Sequence, residues 1–221
     1  MSTILISGAA RGLGLELARQ YAADGWRVIG TVRDAKARLP DGVEVHVADV
    51  TQPEQIRTVA KALKGTALDI LFCNAGIIGK RGMALGSFDY ASWDEVLRVN
   101  VLGAAALAEA FVDHVAASER KVIAMMSSRL GSIAEASGMT LPYATSKAAL
   151  NMLVKGLAAT LGAKGVRVVA LSPGWVRTDM GGSGAPLGAE TSVAGLRKVI
   201  AGLTPSDSGR FFSHDGSPIP W

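Results

Sequence analysis

Apolar runs of strand length alternate with segments of helix length along the whole 221-residue chain. Six of these runs are apolar nearly throughout, which is typical of strands buried on both faces. They comprise residues 3–7, 27–32, 43–48, 69–74, 121–127 and 167–172. Helices are predicted over residues 13–23, 53–63, 93–117, 143–162 and 191–202, and a last short strand over 209–212.

Alternation of this kind predicts a parallel sheet with right-handed crossovers and with helices on both faces. The predicted fold class is therefore α/β, a doubly wound parallel sheet. The length fits a single domain over residues 1–221. With 49% hydrophobic and 19% charged residues, the composition is that of a globular domain.

The single cysteine, Cys73, ends an apolar run, which favours a buried, inert thiol. One cysteine cannot form a disulfide within the chain, so we expect a reducing, cytoplasmic location. The N-terminus lacks the basic region of a signal peptide, and no run approaches the ~18 apolar residues of a membrane span. Neither export nor membrane insertion is expected.

The net charge of +4 permits nucleic-acid binding, but the basic residues are scattered and few aromatic residues such as Trp26 and Tyr90 could stack on bases. Attraction of a phosphorylated small molecule explains the charge equally well. No nucleic-acid partner and no metal site are expected.

A glycine-rich turn joins the first predicted strand to the first helix. Gly8, Gly12 and Gly14 lie in this turn, with Leu13 between the last two. Glycines here let the backbone approach a pyrophosphate, whose charge then meets free N–H groups at the helix N-terminus. Their spacing differs from the commoner G-x-G-x-x-G, and a purely structural turn is the alternative. Arg11 opposes the helix macrodipole and thus indicates an anion nearby.

Tyr143 and Lys147 are four residues apart on a predicted helix, so their side chains share one face. An ammonium beside a phenol favours the ionised phenol, which would lower the tyrosine pKa towards neutrality. The pair is thus a candidate for proton transfer. Such pairs also occur on solvated helices with no function.

Six further motifs follow the glycine turn in a fixed order and carry a family resemblance. The whole set is Ser7-Gly8-Ala9-Ala10-Arg11-Gly12-Leu13-Gly14, Asp49-Val50, Cys73-Asn74-Ala75-Gly76, Asn100, Ser127-Ser128, Tyr143-Ala144-Thr145-Ser146-Lys147 and Ser172-Pro173-Gly174. With these motifs the chain resembles the short-chain dehydrogenase/reductase family over nearly its whole length. Its ending is similar to that of the subgroup with the C-factor signalling protein and the sniffer-type carbonyl reductases. The resemblance implies a Rossmann fold.

The resemblance implies a catalytic tetrad of Asn100, Ser128, Tyr143 and Lys147. Tyr143 would exchange a proton with the substrate oxygen, and Lys147 would lower the tyrosine pKa and hold the nicotinamide ribose. Ser128 would hydrogen-bond the substrate oxygen, and Asn100 would anchor a water that links Lys147 to solvent. Because the interval from Ser128 to Tyr143 is slightly longer than usual for the family, Ser127 is the alternative catalytic serine.

The resemblance also implies a dinucleotide site. The residues implied, besides the glycine turn and the Tyr143–Lys147 pair, are Asp49, Val50, Asn74, Ala75, Gly76, Pro173, Gly174, Val176 and Thr178.

The end of the second predicted strand indicates the choice of cofactor. Dehydrogenases that select NAD place an acidic residue near this point to accept from the ribose 2′-OH. Here Val32 is followed by Arg33, whose guanidinium suits a 2′-phosphate and with Arg11 would form a two-pronged clamp. NADP(H) is therefore favoured over NAD(H). The alternative is that Arg33 pairs with Asp34 on a solvated loop.

Residues 77–90 and 179–191 should form the substrate pocket, because ligands of open α/β sheets bind beyond the carboxyl ends of the strands. Neither loop carries a charge pattern that names a substrate beyond a small carbonyl or alcohol compound. The second loop contains so many glycines that we expect a mobile lid.

The helix around residues 99–112 holds only one charged residue, Glu109, and the helix after Tyr143 is nearly as apolar. A helix that is hydrophobic all round needs cover on both faces, which predicts a homodimer or homotetramer with Leu107 and Leu153 as interface candidates. A monomer with exposed alanine-rich helices is the alternative.

Two functions follow as hypotheses. The first is an NADP(H)-dependent carbonyl reductase or alcohol dehydrogenase. The second is a dinucleotide-binding signalling or regulatory protein of the C-factor type, in which turnover is incidental.

Overall fold

A computed structural model describes all residues, 1–221, and contains one seven-stranded sheet. The strands are β1 (Thr3–Ser7), β2 (Arg27–Val32), β3 (Glu44–Val47), β4 (Ile70–Cys73), β5 (Val122–Met126), β6 (Arg167–Ser172) and β7 (Phe211–Ser213). Their order in the sheet is β3-β2-β1-β4-β5-β6-β7, and every neighbouring pair is parallel. The order reverses between β1 and β4, so a crevice opens beyond the carboxyl ends of these two strands.

The helices lie on both faces of this sheet. They are α1 (Gly12–Ala23), α2 (Pro53–Ala62), α3 (Tyr90–Leu97), α4 (Gly103–Ala116), α5 (Leu141–Leu161) and α6 (Ala189–Ala201). One hydrophobic cluster joins the sheet to α2, α4 and α5, and a second joins the other face to α1 and α6. The predicted doubly wound α/β domain is confirmed. No helix in it has the length and apolar character needed to cross a bilayer.

The alternation of side chains along β1 shows how one strand serves both layers. Ile4 and Ile6 belong to the cluster under α1 and α6, whereas Leu5 belongs to the cluster under α2, α4 and α5. Because successive side chains point to opposite faces, a strand covered on both sides must be apolar throughout. This explains why β1 reads as a continuous apolar run.

The third strand corrects one prediction. We expected a fully buried strand over residues 43–48, but β3 is an edge strand in which Val45 and Val47 are 43% and 51% exposed. An edge strand has a neighbouring strand on one side only, so part of it stays uncovered. The sequence pattern alone did not distinguish this edge strand from a strand at the centre of the sheet.

The long predicted helix over residues 93–117 is interrupted. The helices α3 and α4 are joined by one π-helical segment, Arg98–Leu102, which contains the buried Asn100. Gly103 follows it, and a Cβ on this glycine would lie 2.8 Å from a side-chain carbon of Val50. Single π-turns inside α-helices are frequent at functional sites.

Asp69, which precedes β4, has the structural role that its position suggests. One carboxylate oxygen accepts from the backbone N–H of Thr3 at 2.9 Å, and the other from that of Arg120 at 3.4 Å. Asp69 thereby joins the starts of β1 and β5 to β4.

Two mid-helix glycines give a test of packing against helix propensity. A Cβ on Gly195 in α6 would lie 2.3 Å from the carbonyl oxygen of His214, whereas a Cβ on Gly156 in α5 would meet nothing within 4 Å. We expect Gly156→Ala to raise the free energy of unfolding by about 0.5–1 kcal/mol, because alanine orders more readily in a helix. We expect Gly195→Ala to lower it by about 1–3 kcal/mol through overpacking. Denaturant unfolding of both variants measures the difference; a gain in both would contradict the close approach at Gly195.

Candidate active site

A cavity of about 600 Å³ opens where β1, β4, β5 and β6 end. The turn after each of these strands contributes to its wall, as do residues from the ends of β2 and α5. The predicted site residues on this wall are Gly8, Arg11, Gly12, Leu13, Gly14, Arg33, Asp49, Val50, Asn74, Ala75, Gly76, Tyr143, Lys147, Pro173 and Thr178. The sheet therefore brings most of the predicted site together at one edge.

The glycine turn approaches the loop after β4 too closely for side chains. A Cβ on Gly8 would lie 3.0 Å from the Cα of Ala75, and one on Gly14 would lie 2.2 Å from the carbonyl oxygen of Gly8. Gly8 and Gly12 also adopt φ values of +69° and +54°, which side chains disfavour. Bare backbone at the start of α1 thus faces the cavity, and this cradle fits a pyrophosphate.

The side chain of Asn74 supports this turn. Its amide nitrogen donates to the carbonyl oxygens of Ser7 and Gly8 at 3.0 and 3.2 Å. In return, the Ser7 hydroxyl oxygen accepts from the backbone N–H groups of Asn74 and Ala75 at 3.0 and 3.1 Å. Ser7 was part of the motif but not among the predicted site residues; its position at the end of a buried strand was the available signal.

The guanidinium of Arg33 has no ion-pair partner. Arg33 is exposed on the cavity wall directly after β2, and the neighbouring Asp34 accepts instead from the backbone N–H of Lys36 at 2.8 Å. The alternative pairing of Arg33 with Asp34 is absent. Arg11, by contrast, pairs with Asp179 of the loop after β6 at 3.0 Å, with both side chains largely exposed.

Asp49 and Val50 lie on the wall but also have structural contacts. The Asp49 carboxylate accepts from the backbone N–H and the hydroxyl of Thr51, both at 2.8 Å. Val50 is buried against Gly103.

The turn after β6 holds four further predicted site residues, and two of them lie on the cavity wall. Pro173 and Thr178 line the cavity, whereas the exposed Gly174 and the buried Val176 are not part of its wall. Gly174 adopts a φ of +79°, and Val176 forms an isolated β-bridge with Leu187. The last two positions therefore shape the loop rather than the cavity surface.

That loop has internal contacts. Arg177 donates to the carbonyl oxygens of Ala185 and Pro186 at 2.9 and 2.6 Å, and the indole N–H of Trp175 donates to that of Gly181 at 2.8 Å. These hydrogen bonds hold the glycine-rich segment that we expected to be a mobile lid.

Tyr143 is buried at the cavity wall beside Ser128. Burial raises the pKa of Tyr143 to about 12, and a hydrogen bond with Ser128 opposes that rise in part. The Lys147 ammonium lies 5.5 Å from the centre of the Tyr143 ring. The predicted lowering of the tyrosine pKa towards neutrality is therefore wrong for this structure, because desolvation of the phenolate raises that pKa.

Lys147 is buried as deeply as Tyr143. Its ammonium donates to the carbonyl oxygen of Met126, the last residue of β5, at 2.7 Å. Burial lowers the pKa of Lys147 to about 7, since a charged amine loses its hydration inside the protein. Both protonation states are consequently accessible near neutral pH.

The two serines after β5 have different surroundings. The buried Ser127 donates to the side-chain oxygen of Asn151 at 2.6 Å. The hydroxyl of Ser128 accepts from the backbone N–H of Leu130 at 3.2 Å and contacts Tyr143. Ser128 thus contacts the tyrosine but is not on the cavity wall, whereas the buried Ser127 lines the cavity.

Asn100 is held by its neighbours. Its side-chain oxygen accepts from the N–H of Ile77 at 2.8 Å, and its amide donates to the carbonyl oxygen of Ile77 and to the Ser146 hydroxyl, both at 2.9 Å. The side chain therefore fixes the loop after β4 against α5. It lies outside the cavity wall.

Several wall residues were missed as site residues by the sequence reasoning. Thr31, Ala48 and Met126 end strands that the sequence did predict, so strand ends were the available signal. The segments 77–81 and 179–180, which we assigned to the substrate loops, contribute Ile77, Ile78, Gly79, Arg81, Asp179 and Met180 to the same wall.

Comparison with known proteins agrees with this geometry. Residues 2–186 match the family model described as short chain dehydrogenase. The chain is 41% identical to C-signal of Myxococcus xanthus over 155 residues, which cover 70% of this chain and 93% of that protein.

Solved structures show the same fold. An NADPH-bound carbonyl reductase from chicken fatty liver is similar with a TM-score of 0.91 and 30% identity, over 100% of this chain and 99% of that one. The carbonyl reductase Sniffer of D. melanogaster is similar with a TM-score of 0.90 and 30% identity, over 100% of both chains. The family that the motifs indicated is confirmed, and the similarity to C-signal and Sniffer agrees with the subgroup that the ending of the chain resembles. This chain belongs to the short-chain dehydrogenase/reductase family of oxidoreductases.

Proposed function

We propose that this protein is an NADP(H)-dependent carbonyl reductase, which transfers a hydride between a nicotinamide and a small carbonyl or alcohol compound. The observation that carries the proposal is the position of Tyr143, with Ser128 bonded to it and Lys147 behind it, on the same cavity as the glycine turn. The single buried thiol of Cys73 supports a cytoplasmic location.

Tyr143 is the proposed proton donor to the carbonyl oxygen in the direction of reduction. With a pKa of about 12 the phenol is protonated at neutral pH, so the proton is available when negative charge develops on the substrate oxygen. Ser128 adds a second hydrogen bond to that oxygen. Lys147, with a pKa of about 7, can return a proton to Tyr143 after the transfer.

Backbone and side chains of this chain would hold the cofactor. The cradle at Gly8, Gly12 and Gly14 would receive the diphosphate, and Arg33 would meet the 2′-phosphate from the end of β2. A bound nicotinamide supplies or accepts the hydride. The unpartnered guanidinium of Arg33 supports NADP(H) over NAD(H), and the chicken carbonyl reductase of similar fold is bound to NADPH.

Removal of one hydroxyl tests the catalytic assignment. We expect Tyr143→Phe to lower kcat for carbonyl reduction by at least about 100-fold, because it removes the proton donor. The dissociation constant of NADPH should change little. We expect Ser128→Ala to lower kcat by about 100-fold and Ser127→Ala far less. Steady-state NADPH oxidation and fluorescence titration measure both quantities; a larger loss in Ser127→Ala would transfer the role to that serine.

Titration with two cofactors tests the phosphate clamp. We expect Arg33→Ala to weaken NADPH binding by about ten- to a hundred-fold, as expected for a charged hydrogen bond of about 1.5–3 kcal/mol. NADH binding should stay near that of the parent, since NADH lacks the 2′-phosphate. Arg11→Ala provides the comparison, because Arg11 already pairs with Asp179. Equal losses of affinity for NADPH and NADH would show that Arg33 contacts a part shared by both cofactors. That result would contradict the proposed preference for NADP(H).

We also propose that the outer faces of α4 and α5 form a homodimer or homotetramer interface. Leu102, in the π-helical segment that leads into α4, and Met152, on α5, are 61% and 71% exposed, which is unusual for large apolar side chains. Leu107, which the sequence offered as an interface residue, is instead buried in the core at 2% exposure.

Charged substitutions on the outer faces test the oligomer. We expect Leu102→Glu and Met152→Glu to convert the parent oligomer into smaller species in sedimentation velocity, while each protomer stays folded. Val47→Glu on the exposed edge strand β3 provides the control, because it adds the same charge far from these helices. A parent that sediments as a monomer at micromolar concentration would refute the interface.

The second candidate function is a dinucleotide-binding signalling or regulatory role. The 41% identity to C-signal favours it. A panel of aldehydes, ketones, diketones and quinones distinguishes the two functions: NADPH oxidation with any of them supports the reductase, and tight NADPH binding without turnover supports the second function.

A further inference from the structure

The two substrate loops meet in front of β5. Arg81, in the loop after β4, donates a hydrogen bond to the carbonyl oxygen of Met180, in the loop after β6. Since β5 lies between β4 and β6 in the sheet, this contact passes over the carboxyl end of β5, which leads into Ser128. Arg81 therefore stands at the mouth of the cavity that Tyr143 lines.

The guanidinium of Arg81 has no acidic partner. Two aspartates of these loops pair with other cations: Asp89 with Lys80 at 3.4 Å, and Asp179 with Arg11 at 3.0 Å. The contact with Met180 is to a neutral carbonyl and uses only part of a group with five N–H donors. A positive charge with free donors thus faces the cavity mouth.

Apolar side chains from the same two loops, Ile77, Ile78 and Met180, line the cavity together with Arg81, and Asp179 beside them is paired with Arg11. Apolar side chains near one unpaired guanidinium fit a ligand that has an apolar body and one anionic group. A guanidinium matches a planar carboxylate through two parallel hydrogen bonds, and it does so most strongly where neighbouring apolar groups exclude water.

We propose that Arg81 is a specificity-determining residue that selects carbonyl substrates bearing a carboxylate. This inference rests on the proposed reductase function and specifies its substrate class. The carbonyl group lies at Tyr143 and the carboxylate at Arg81, with the apolar body between them. A phosphate of the cofactor is the other oxyanion within the same cavity, and the experiment separates the two.

The experiment compares two aldehydes that differ at one group, a carboxylate in one and its uncharged methyl ester in the other. The probes are 4-carboxybenzaldehyde and its methyl ester, each with NADPH, on the parent, Arg81→Ala, Arg81→Lys and Lys80→Ala. We expect the parent to favour the acid in kcat/KM, and Arg81→Ala to lose on the order of ten-fold or more on the acid alone. Arg81→Lys should recover part of that loss, because it restores the charge without the planar fork. Lys80→Ala is the matched control, since it removes a neighbouring cation that lies off the cavity wall, and it should change neither substrate.

Three results would overturn the assignment: no preference of the parent for the acid, an equal loss on acid and ester in Arg81→Ala, or a comparable loss in Lys80→Ala. A weakened NADPH dissociation constant in Arg81→Ala, with equal effects on both aldehydes, would assign Arg81 to the cofactor phosphate instead.

A binding measurement without cofactor keeps this inference separate from the proposed function. Saturation-transfer NMR with 4-(hydroxymethyl)benzoate should show binding to the parent and to Lys80→Ala, and its loss in Arg81→Ala. If this pattern holds but the parent reduces neither aldehyde, the carboxylate site stands and the reductase function fails. Turnover without Arg81-dependent binding or acid preference supports the reductase and overturns the carboxylate site.

Discussion

The close contact between the turn after β1 and the loop after β4 is the constraint on which the site depends. There is no room for a Cβ at Gly14, because the carbonyl oxygen of Gly8 would lie 2.2 Å from it. Asn74 and Ser7 hold the two segments together through reciprocal hydrogen bonds. This contact places bare backbone N–H groups at the start of α1 against the cavity. It also fixes the position of this part of the cavity wall relative to the others. A larger residue at either glycine would separate the turn from the loop and change the shape of the cavity.

Burial of two ionisable groups is the second determinant. Burial raises the pKa of Tyr143 to about 12 and lowers that of Lys147 to about 7, so in both cases it favours the neutral form. The lowered pKa means that buried Lys147 destabilises the fold at pH values below about 7, and that this cost disappears as the pH rises towards the ordinary value of 10.5. Its ammonium accordingly relies on one backbone carbonyl, that of Met126. Ionisable residues with shifted pKa values are concentrated at catalytic sites, which agrees with membership of an oxidoreductase family.

The cavity has two chemically different ends. Arg33 lies after β2, two strands away from β4 in the sheet, and Arg81 lies in the loop after β4, in contact with the loop after β6. Arg11 lies between them and is bound to Asp179. The same wall carries Asp34, Asp49 and Asp179, so its positive charge is local to the guanidinium groups of Arg33 and Arg81, which have no ion-pair partner.

The sequence by itself determined the fold class, six of the strands nearly to the residue, and the position of the Tyr143–Lys147 pair, because period, glycine placement and i,i+4 spacing are local properties of the chain. It could not show that β3 is an edge strand or that a π-turn carries Asn100, since both depend on what packs against those segments. Only the tertiary structure decided that Ser128 contacts Tyr143 while Ser127 bonds to Asn151, that burial raises the tyrosine pKa, and that Arg81 reaches Met180. Residues far apart in the chain meet there, and desolvation is a property of their shared surroundings rather than of any one motif.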